Sequence, residues 1–327
     1  MTENYTYSLL TSQHTSAINA LFHAAFGTPP KEAFVRWKYF SNPAGNAILA
    51  GAFFNGQLVG SGAMIPENMN VYGQEKLIFK CTDLMTHPDH QRKGLSKKIN
   101  ELLYQETLRM GTPFSYTLCS KTATKSFLKN NWLFLDEVIN LFKPYALLKL
   151  TSLFRQNDTK AFDFFDSIGD TLCAYHHSKD SSLISIKKSP AYLQWRTSNP
   201  DFSYKLICSY SQKKQINGYL IYSISPNNLL NIIDIEAADG DSKILEQLLL
   251  CVEHIAVTNQ HKGILGITIK NSPLFKFLRS NHYIYNPFKK GPLTTQLDFD
   301  IYLYDKDSTT TMNTSHWNIN GLSYDDI

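Results

Sequence analysis

The chain has 327 residues, of which 43% are hydrophobic and 13% aromatic, and it carries a formal net charge of +4. That length exceeds most single cores and fits two domains of ordinary size. So mild a charge gives no argument for a nucleic-acid partner and suits a small anionic ligand. No apolar run nears the roughly 20 residues that cross a bilayer, and the opening MTENYTYSLL lacks a signal-peptide pattern, so we expect a cytoplasmic chain with no membrane span. The five cysteines (Cys81, Cys119, Cys173, Cys208, Cys251) are far apart and form no CxxC pair. That spacing predicts reduced thiols and neither disulfides nor a metal site.

Along the chain, the first marked phrase is Trp37–Pro43, WKYFSNP. Asn before Pro resists helix, so the phrase predicts a helix end running into a turn. An antiparallel pair follows, turning at Asn55-Gly56. Then come a strand through FKCTDLMTH, an amphipathic helix from about Gly94 with Leu95, Ile99, Leu102 and Leu103 on its buried face, the strand FSYTLCS, and a short helix with SFLKNNW. Residues 145–170 read as a boundary with a helix of its own.

The second half repeats this order. WRTSNP at Trp195–Pro200 echoes the first phrase, and KFLRSNHY at Lys276–Tyr283 echoes SFLKNNW. Between them lie a pair turning near Asn217-Gly218, a strand, a helix, and the strand GILGITIK. Two echoes in order over comparable elements argue for duplication. We therefore expect domains at 1–145 and 171–327, joined by 146–170, with both Trp residues in the core.

The halves differ where the central strand meets the central helix. Helix starts usually collect acids, because the N-terminal end of the dipole is positive. The first helix instead gathers Arg92, Lys93, Lys97 and Lys98, with no acid from Gln91 until Glu101. Cations there are unfavourable unless an anion occupies the site. Free N–H groups over Gln91–Ser96 and a glycine allowing close approach describe a phosphate cradle. A solvated basic face is the plainer alternative, weakened by the glycine at the helix start directly after a strand. The second helix opens with Asp241 or Ser242 as its cap and Glu246 in the early turns, which would repel a pyrophosphate. We expect a cofactor-sized cleft in the first half only.

The stretch DLMTHPDHQRKGLSKKINELL resembles the acetyl-CoA-binding motif of the GCN5-related N-acetyltransferase (GNAT) superfamily. Its Q/R-x-x-G-x-G/A pattern falls on Gln91, Arg92, Lys93, Gly94, Leu95 and Ser96. The resemblance covers most of residues 1–145 and implies an α/β fold of two GNAT-like domains, the second degenerate. Each would be a mixed, mostly antiparallel sheet flanked by helices. It further implies acetyl-CoA as co-substrate, without metal, and a small-molecule amine as acceptor. Leu84, Met85 and Thr86 would meet the pantetheine arm, Gln91–Ser96 the pyrophosphate, and Ser120 the cofactor arm. A backbone N–H near Met85 would stabilise the oxyanion, and Asp83 is the candidate base, an ordinary polar contact being its alternative. Phe127 stands where many members have a Tyr proton donor, which leaves the general acid open. His87 reads as turn-forming, and Tyr116 and Cys119 as packing. The closing HWNINGLSYDDI faintly resembles members from polysaccharide pathways, suggesting a nucleotide-linked amino sugar. Transfer of a longer acyl or aminoacyl group, and a non-catalytic acyl-CoA sensor or scaffold, are the alternatives. The oligomeric state is not legible from the sequence.

Overall fold

The computed structural model describes residues 4–152, 162–165, 168–175, 182–288, 291, 293, 297–305 and 311–324. Much of the expected 146–170 connection and the last three residues of the tail lie outside them. The first half runs β1 (Tyr5–Leu10), α1 (Thr15–Phe26), α2 (Glu32–Phe40), β2 (Ile48–Phe54), β3 (Gln57–Val71), β4 (Gln74–Thr86), α3 (Leu95–Arg109), β5 (Phe114–Ser120), α4 (Lys121–Leu128), β6 (Leu133–Pro144) and α5 (Tyr145–Ser152). The second runs β7 (Phe162–Phe165), α6 (Ile168–Thr171), β8 (Ile184–Ile186), α7 (Pro190–Thr197), β9 (Tyr204–Tyr210), β10 (Ile216–Ile224), β11 (Leu230–Ala237), α8 (Ser242–Thr258), β12 (Gly263–Ile269), α9 (Pro273–Ser280) and β13 (Leu297–Leu303).

The local signals act as their chemistry requires. Asn55 and Gly56 both take positive φ (50° and 80°), the tight hairpin turn that matches strand twist. The second hairpin turns elsewhere than expected. Ser211–Gln215 make the turn, with Lys214 at φ 57°, and Gly218 lies inside β10. Gly218 is there for space, because a Cβ would sit 2.5 Å from Ile244 Cγ2 on α8.

The strands form one mostly antiparallel sheet, ordered β1-β2-β3-β4-β5-β13-β6-β12-β11-β10-β9-β7, with β8 on the far end of β3. The two halves exchange strands at its centre. The late strand β13 pairs with β5 along its whole length. The early strand β6 pairs with β13 over Leu133–Glu137 and then with β12 over Val138–Pro144. Each half thus completes the other's sheet, where the expectation was a separate sheet for each.

The repeated phrases meet at this joint. Trp37 and Trp195 stack with ring centroids 5.1 Å apart. The Trp37 indole N–H donates to the Trp195 carbonyl at 2.6 Å, and the Trp195 indole N–H donates to the Trp37 carbonyl at 2.9 Å. Both are buried in one core that joins α2 and α7 to the sheet. Just beyond each helix, Asn42 and Asn199 accept from the backbone N–H two residues on, forming the same turn. The other echo is one residue out of step with the sequence match. The Trp132 N–H donates to the Phe127 carbonyl and the Tyr283 N–H to that of Leu278, while Asn131 and His282 take positive φ. Phe127 therefore matches Leu278, and not Phe277, because burial of the ring and the leucine decides the pairing.

Candidate active site

The site is built where β4 and β5 part. These parallel strands pair at Phe79–Ser115 and Lys80–Tyr116. Thr117 Oγ1 then donates to the Cys81 carbonyl at 2.9 Å. Beyond it no ladder pair joins the two strands. A bulge turns β4 aside at this point: its register against β3 shifts between Ser61 and Ala63, setting Asp83 and Leu84 opposite Gly62. Asp83 takes φ 52° there. Such bulges bend a strand and interrupt its pairing, which leaves a wedge between β4 and β5.

At the mouth of the wedge α3 begins, with Gly94 as its first cap residue at φ 77° and no side chain capping the helix. Arg92 is also left-handed, at φ 62°, so the loop curls its N–H groups to one side. Nothing lies within 4 Å of where a Gly94 Cβ would be. Gln91, Arg92, Lys93 and Gly94 are exposed, Ser96 is half-buried, and Leu95 anchors the turn in the core with Ile99 and Leu103. Lys98 is engaged by Glu101 at 2.9 Å. His87 accepts from the Asp89 N–H in the turn that leads into the loop. His90 meets the Tyr5 hydroxyl at 2.9 Å.

The opposite face of β4 carries Asp83. Its Oδ2 takes Lys38 Nζ at 2.8 Å and the Tyr39 hydroxyl at 2.6 Å, both from α2. Lys38 and Tyr39 are site residues that sequence reasoning missed, although they lie within WKYFSNP itself. The N–H groups at and around Met85 divide between the two sides of β4. The His87 N–H donates to the Val59 carbonyl at 2.9 Å, and hydrogen-bonded pairs in an antiparallel ladder recur at every second residue. Ser61–Met85 is the next such pair, so the Met85 N–H faces β3, and the N–H groups of Leu84 and Thr86 face the wedge.

The β5 wall of the wedge ends at Ser120, whose side chain caps α4 by accepting from the Ala123 N–H at 3.2 Å. Phe127 is buried against Trp132, with centroids 4.8 Å apart. Tyr116 is buried and donates to Glu67 at 2.5 Å. Behind β5 the exchanged strand β13 brings two carboxylates. Cys119 Sγ lies 3.4 Å from both Asp300 Oδ2 and Thr124 Oγ1, and Thr124 donates to Asp298 at 2.7 Å. Burial, with Asp298 beside it, pushes the Asp300 carboxyl up to about 6, and burial pushes the Cys119 thiol up to about 12. No local signal pointed to this pair, because β13 reaches β5 only through the strand exchange. Among the described residues no group of three or more His, Cys, Asp or Glu side chains is placed to hold a metal ion.

The corresponding place in the second half is shaped differently. Strands β11 and β12 also run parallel for three pairs, ending at Ile232–Gly266. The space beyond is entered by the tail. Thr268 donates to the Ile319 carbonyl at 2.6 Å, Asn320 donates to Asp234 at 2.7 Å, and Gly321 lies so close to Ile233 that a Cβ would stand 2.8 Å from its Cα. At the start of α8, Asp241 accepts from the N–H groups of Lys243 and Ile244 at 2.9 and 3.4 Å, so the helix caps itself. The expectation of a cleft in the first half alone is corrected: a cavity of about 750 Å³ borders β11 and the first turns of α8 and α9. It lacks an uncapped helix start.

Residues 6–124 match the acetyltransferase (GNAT) domain family. The first half is a GNAT domain. Solved structures share the fold over nearly the whole chain. A conserved protein of unknown function and probable N-acyltransferase from Enterococcus faecalis V583 is 9% identical with a TM-score of 0.69, covering 92% of this chain and 73% of that one. A GCN5-related N-acetyltransferase from Anabaena variabilis is 11% identical (TM-score 0.64, 92% and 73% covered), and one from Kribbella flavida is 12% identical (TM-score 0.64, 93% and 72%). Identities this low show the fold alone. No curated protein matches the chain. The GNAT domain supplies acyl transfer as the activity class, and the chain is an N-acetyltransferase on that ground. Among the described residues no helix is long and apolar enough to cross a membrane.

Proposed function

We propose that the GNAT domain moves an acetyl group from acetyl-CoA to the primary amine of a small molecule. The observation that carries this is the uncapped, acid-free start of α3 at the mouth of the β4–β5 wedge, with Asp83 on the far side of the same strand. The N–H groups of the loop over Gln91–Ser96 hold the pyrophosphate, and Arg92 and Lys93 add charge. The arm of the cofactor lies in the wedge, strand-fashion, along Leu84 and Thr86. An uncharged amine attacks the thioester carbonyl, and a wedge-facing N–H of β4 stabilises the oxyanion that forms. Asp83, held by Lys38 and Tyr39, orients the amine or takes its proton. The departing thiolate needs no Tyr at the Phe127 position, since a thiolate leaves readily.

We read the second half as a degenerate copy of the same unit that helps shape the acceptor side. The tail that suggested an amino sugar has a packing role: Trp317 is buried, and the Ser323 carbonyl accepts from Lys80. It therefore adds no support for a sugar, and nucleotide-linked amino sugars enter as one arm of an acceptor panel. A cytoplasmic location fits a soluble co-substrate of this kind. The test is Gly94→Trp, which sets an indole over the loop. Calorimetry should find acetyl-CoA affinity reduced at least 100-fold with the melting temperature within a few degrees. Unchanged affinity would remove the cradle. Thiol release from acetyl-CoA with the amine panel separates an enzyme from an acyl-CoA sensor, which would bind without turnover.

A further inference from the structure

The echoed phrases WKYFSNP and WRTSNP belong to no step of the acetyl transfer proposed above, yet they bring the two halves into contact beside its site. Trp37 and Trp195 stack, and each indole N–H donates to the other's backbone carbonyl, at 2.6 and 2.9 Å. The contact is reciprocal, like one across a two-fold axis. The residue after each Trp is a buried cation, and each serves its own half. Arg196 donates to the Leu322 and Gly321 carbonyls at 3.1 and 3.0 Å, and to that of Tyr324, which holds the tail. Lys38 reaches Asp83 Oδ2 at 2.8 Å, and Tyr39 donates to the same oxygen at 2.6 Å.

The short helix α2 carries both contacts. It has nine residues, a length of about 13 Å, and its own hydrogen bonds set neither its height nor its rotation against the sheet. Its far end is fixed by Asn42, which donates to the Pro66 carbonyl of β3 at 2.8 Å. Its face is fixed by Trp37, one residue before the pair that holds Asp83. Phe34, one turn earlier, touches both groups. Its ring centroid lies 5.4 Å from that of Trp37 and 5.6 Å from Lys38 Nζ. Within a helix the backbone links neighbours rigidly, so a shift at Trp37 carries Lys38 and Tyr39 with it. A displacement of about 1 Å at a reacting group costs about 100-fold in rate.

We propose that Trp195 of the second half is a positioning residue: acting through Trp37, it sets α2 so that Lys38 and Tyr39 hold Asp83 for the transfer. The catalytic meaning of this contact rests on the role given to Asp83 above. The experiment is a pair of double-substitution cycles on the full chain. In the first, kcat and KM for acetyl-CoA are measured for Trp195→Phe, Lys38→Met and the two combined. Trp195→Phe keeps a ring and removes the indole N–H. It should lower kcat about tenfold and leave KM for acetyl-CoA within about twofold, because the cradle lies on the other side of β4. In the Lys38→Met chain it should lower kcat by less than about twofold more. An equal further fall overturns the proposal, since Trp195 would then act independently of Lys38. So does an unaltered kcat for Trp195→Phe in an assay where Asp83→Asn lowers it. The second cycle needs no turnover and compares denaturant unfolding of Trp195→Phe, Asp83→Asn and both. Distant residues that share no element add in their costs, whereas two coupled through α2 should together cost less than the sum. If Asp83→Asn leaves kcat unchanged, the role given to Asp83 fails and this second cycle decides alone: additive costs overturn the proposal. If Trp195→Phe does not fold, Trp37→Phe, which removes the opposite N–H, takes its place in both cycles.

Discussion

The two central helices, α3 and α8, follow parallel strand pairs that part in the same way, yet they start in opposite manners. Gly94 leaves the α3 N–H groups open beneath a basic loop, whereas Asp241 closes those of α8 with its own carboxylate. The β strands before them also end alike, each with an Asp held by a buried Lys: Asp83 by Lys38, Asp234 by Lys188. In the first half the space between the strands is a wedge. In the second its apex holds Ile319–Gly321 of the chain's own tail. One arrangement of strands and helix thus leaves the helix start open in the first half and closes it in the second, through one capping residue and one inserted segment.

The comparison is broken most severely by separating the halves. Residues 1–145 expressed alone lack β13 between β5 and β6, so they should give no cooperative thermal transition. Joining residues 297–324 to them through a flexible linker should restore one; a cooperative melt of 1–145 by itself would show the exchange to be dispensable. Next in size is Glu253→Ala on α8. It leaves Lys143 of the exchanged strand β6 buried without its carboxylate partner, now at 2.8 Å, and should cost about 3–5 kcal/mol in denaturant unfolding.

The other exchanged strand, β13, brings carboxylates that have no ion-pair partner among the described residues, and this contrast appears as pH dependence. Asp300 has its carboxyl raised from 3.8 to about 6, so the folded chain holds that proton more tightly than the unfolded one. Its contribution is full below about pH 4 and is lost as pH rises through about 6. Asp300→Asn should therefore be more stable than the unmodified chain by about 2–3 kcal/mol above pH 7, the gap closing toward pH 4. A gap that is constant with pH would show that Asp300 does not titrate in this range. The smallest effect is expected from Asp241→Ala. Loss of the cap should cost about 1 kcal/mol, and acetyl-CoA should gain no second site, because the tail still occupies the apex. Two equivalents of acetyl-CoA bound by that variant would make the cap, and not the tail, the deciding difference.

Sequence reasoning reached the features that depend on near neighbours. Asn55-Gly56 turns because both residues tolerate positive φ, and Gly94 and Asp241 shape their helix starts through groups within three residues. The repeat was legible for the same reason, since WKYFSNP and WRTSNP each form their own helix end. It failed where a distant contact chose between local options. Gly218 looked like a turn and is a gap for Ile244, and Phe277 looked like the partner of Phe127 until burial selected Leu278. Lys38 and Tyr39 stood in plain view but acquired meaning only when α2 was laid across the bulge at Asp83.

By itself, then, the sequence supplied the order of α/β elements in each half and an acid-free, glycine-led helix start in the first that the second does not repeat. The tertiary structure alone decided that the copies share one sheet, that Trp37 and Trp195 meet face to face across 158 positions, and that the tail enters the second wedge. The physical reason is range. Caps and turns are settled by hydrogen bonds within a few residues, whereas strand exchange and core pairing are settled by which distant surfaces bury each other best.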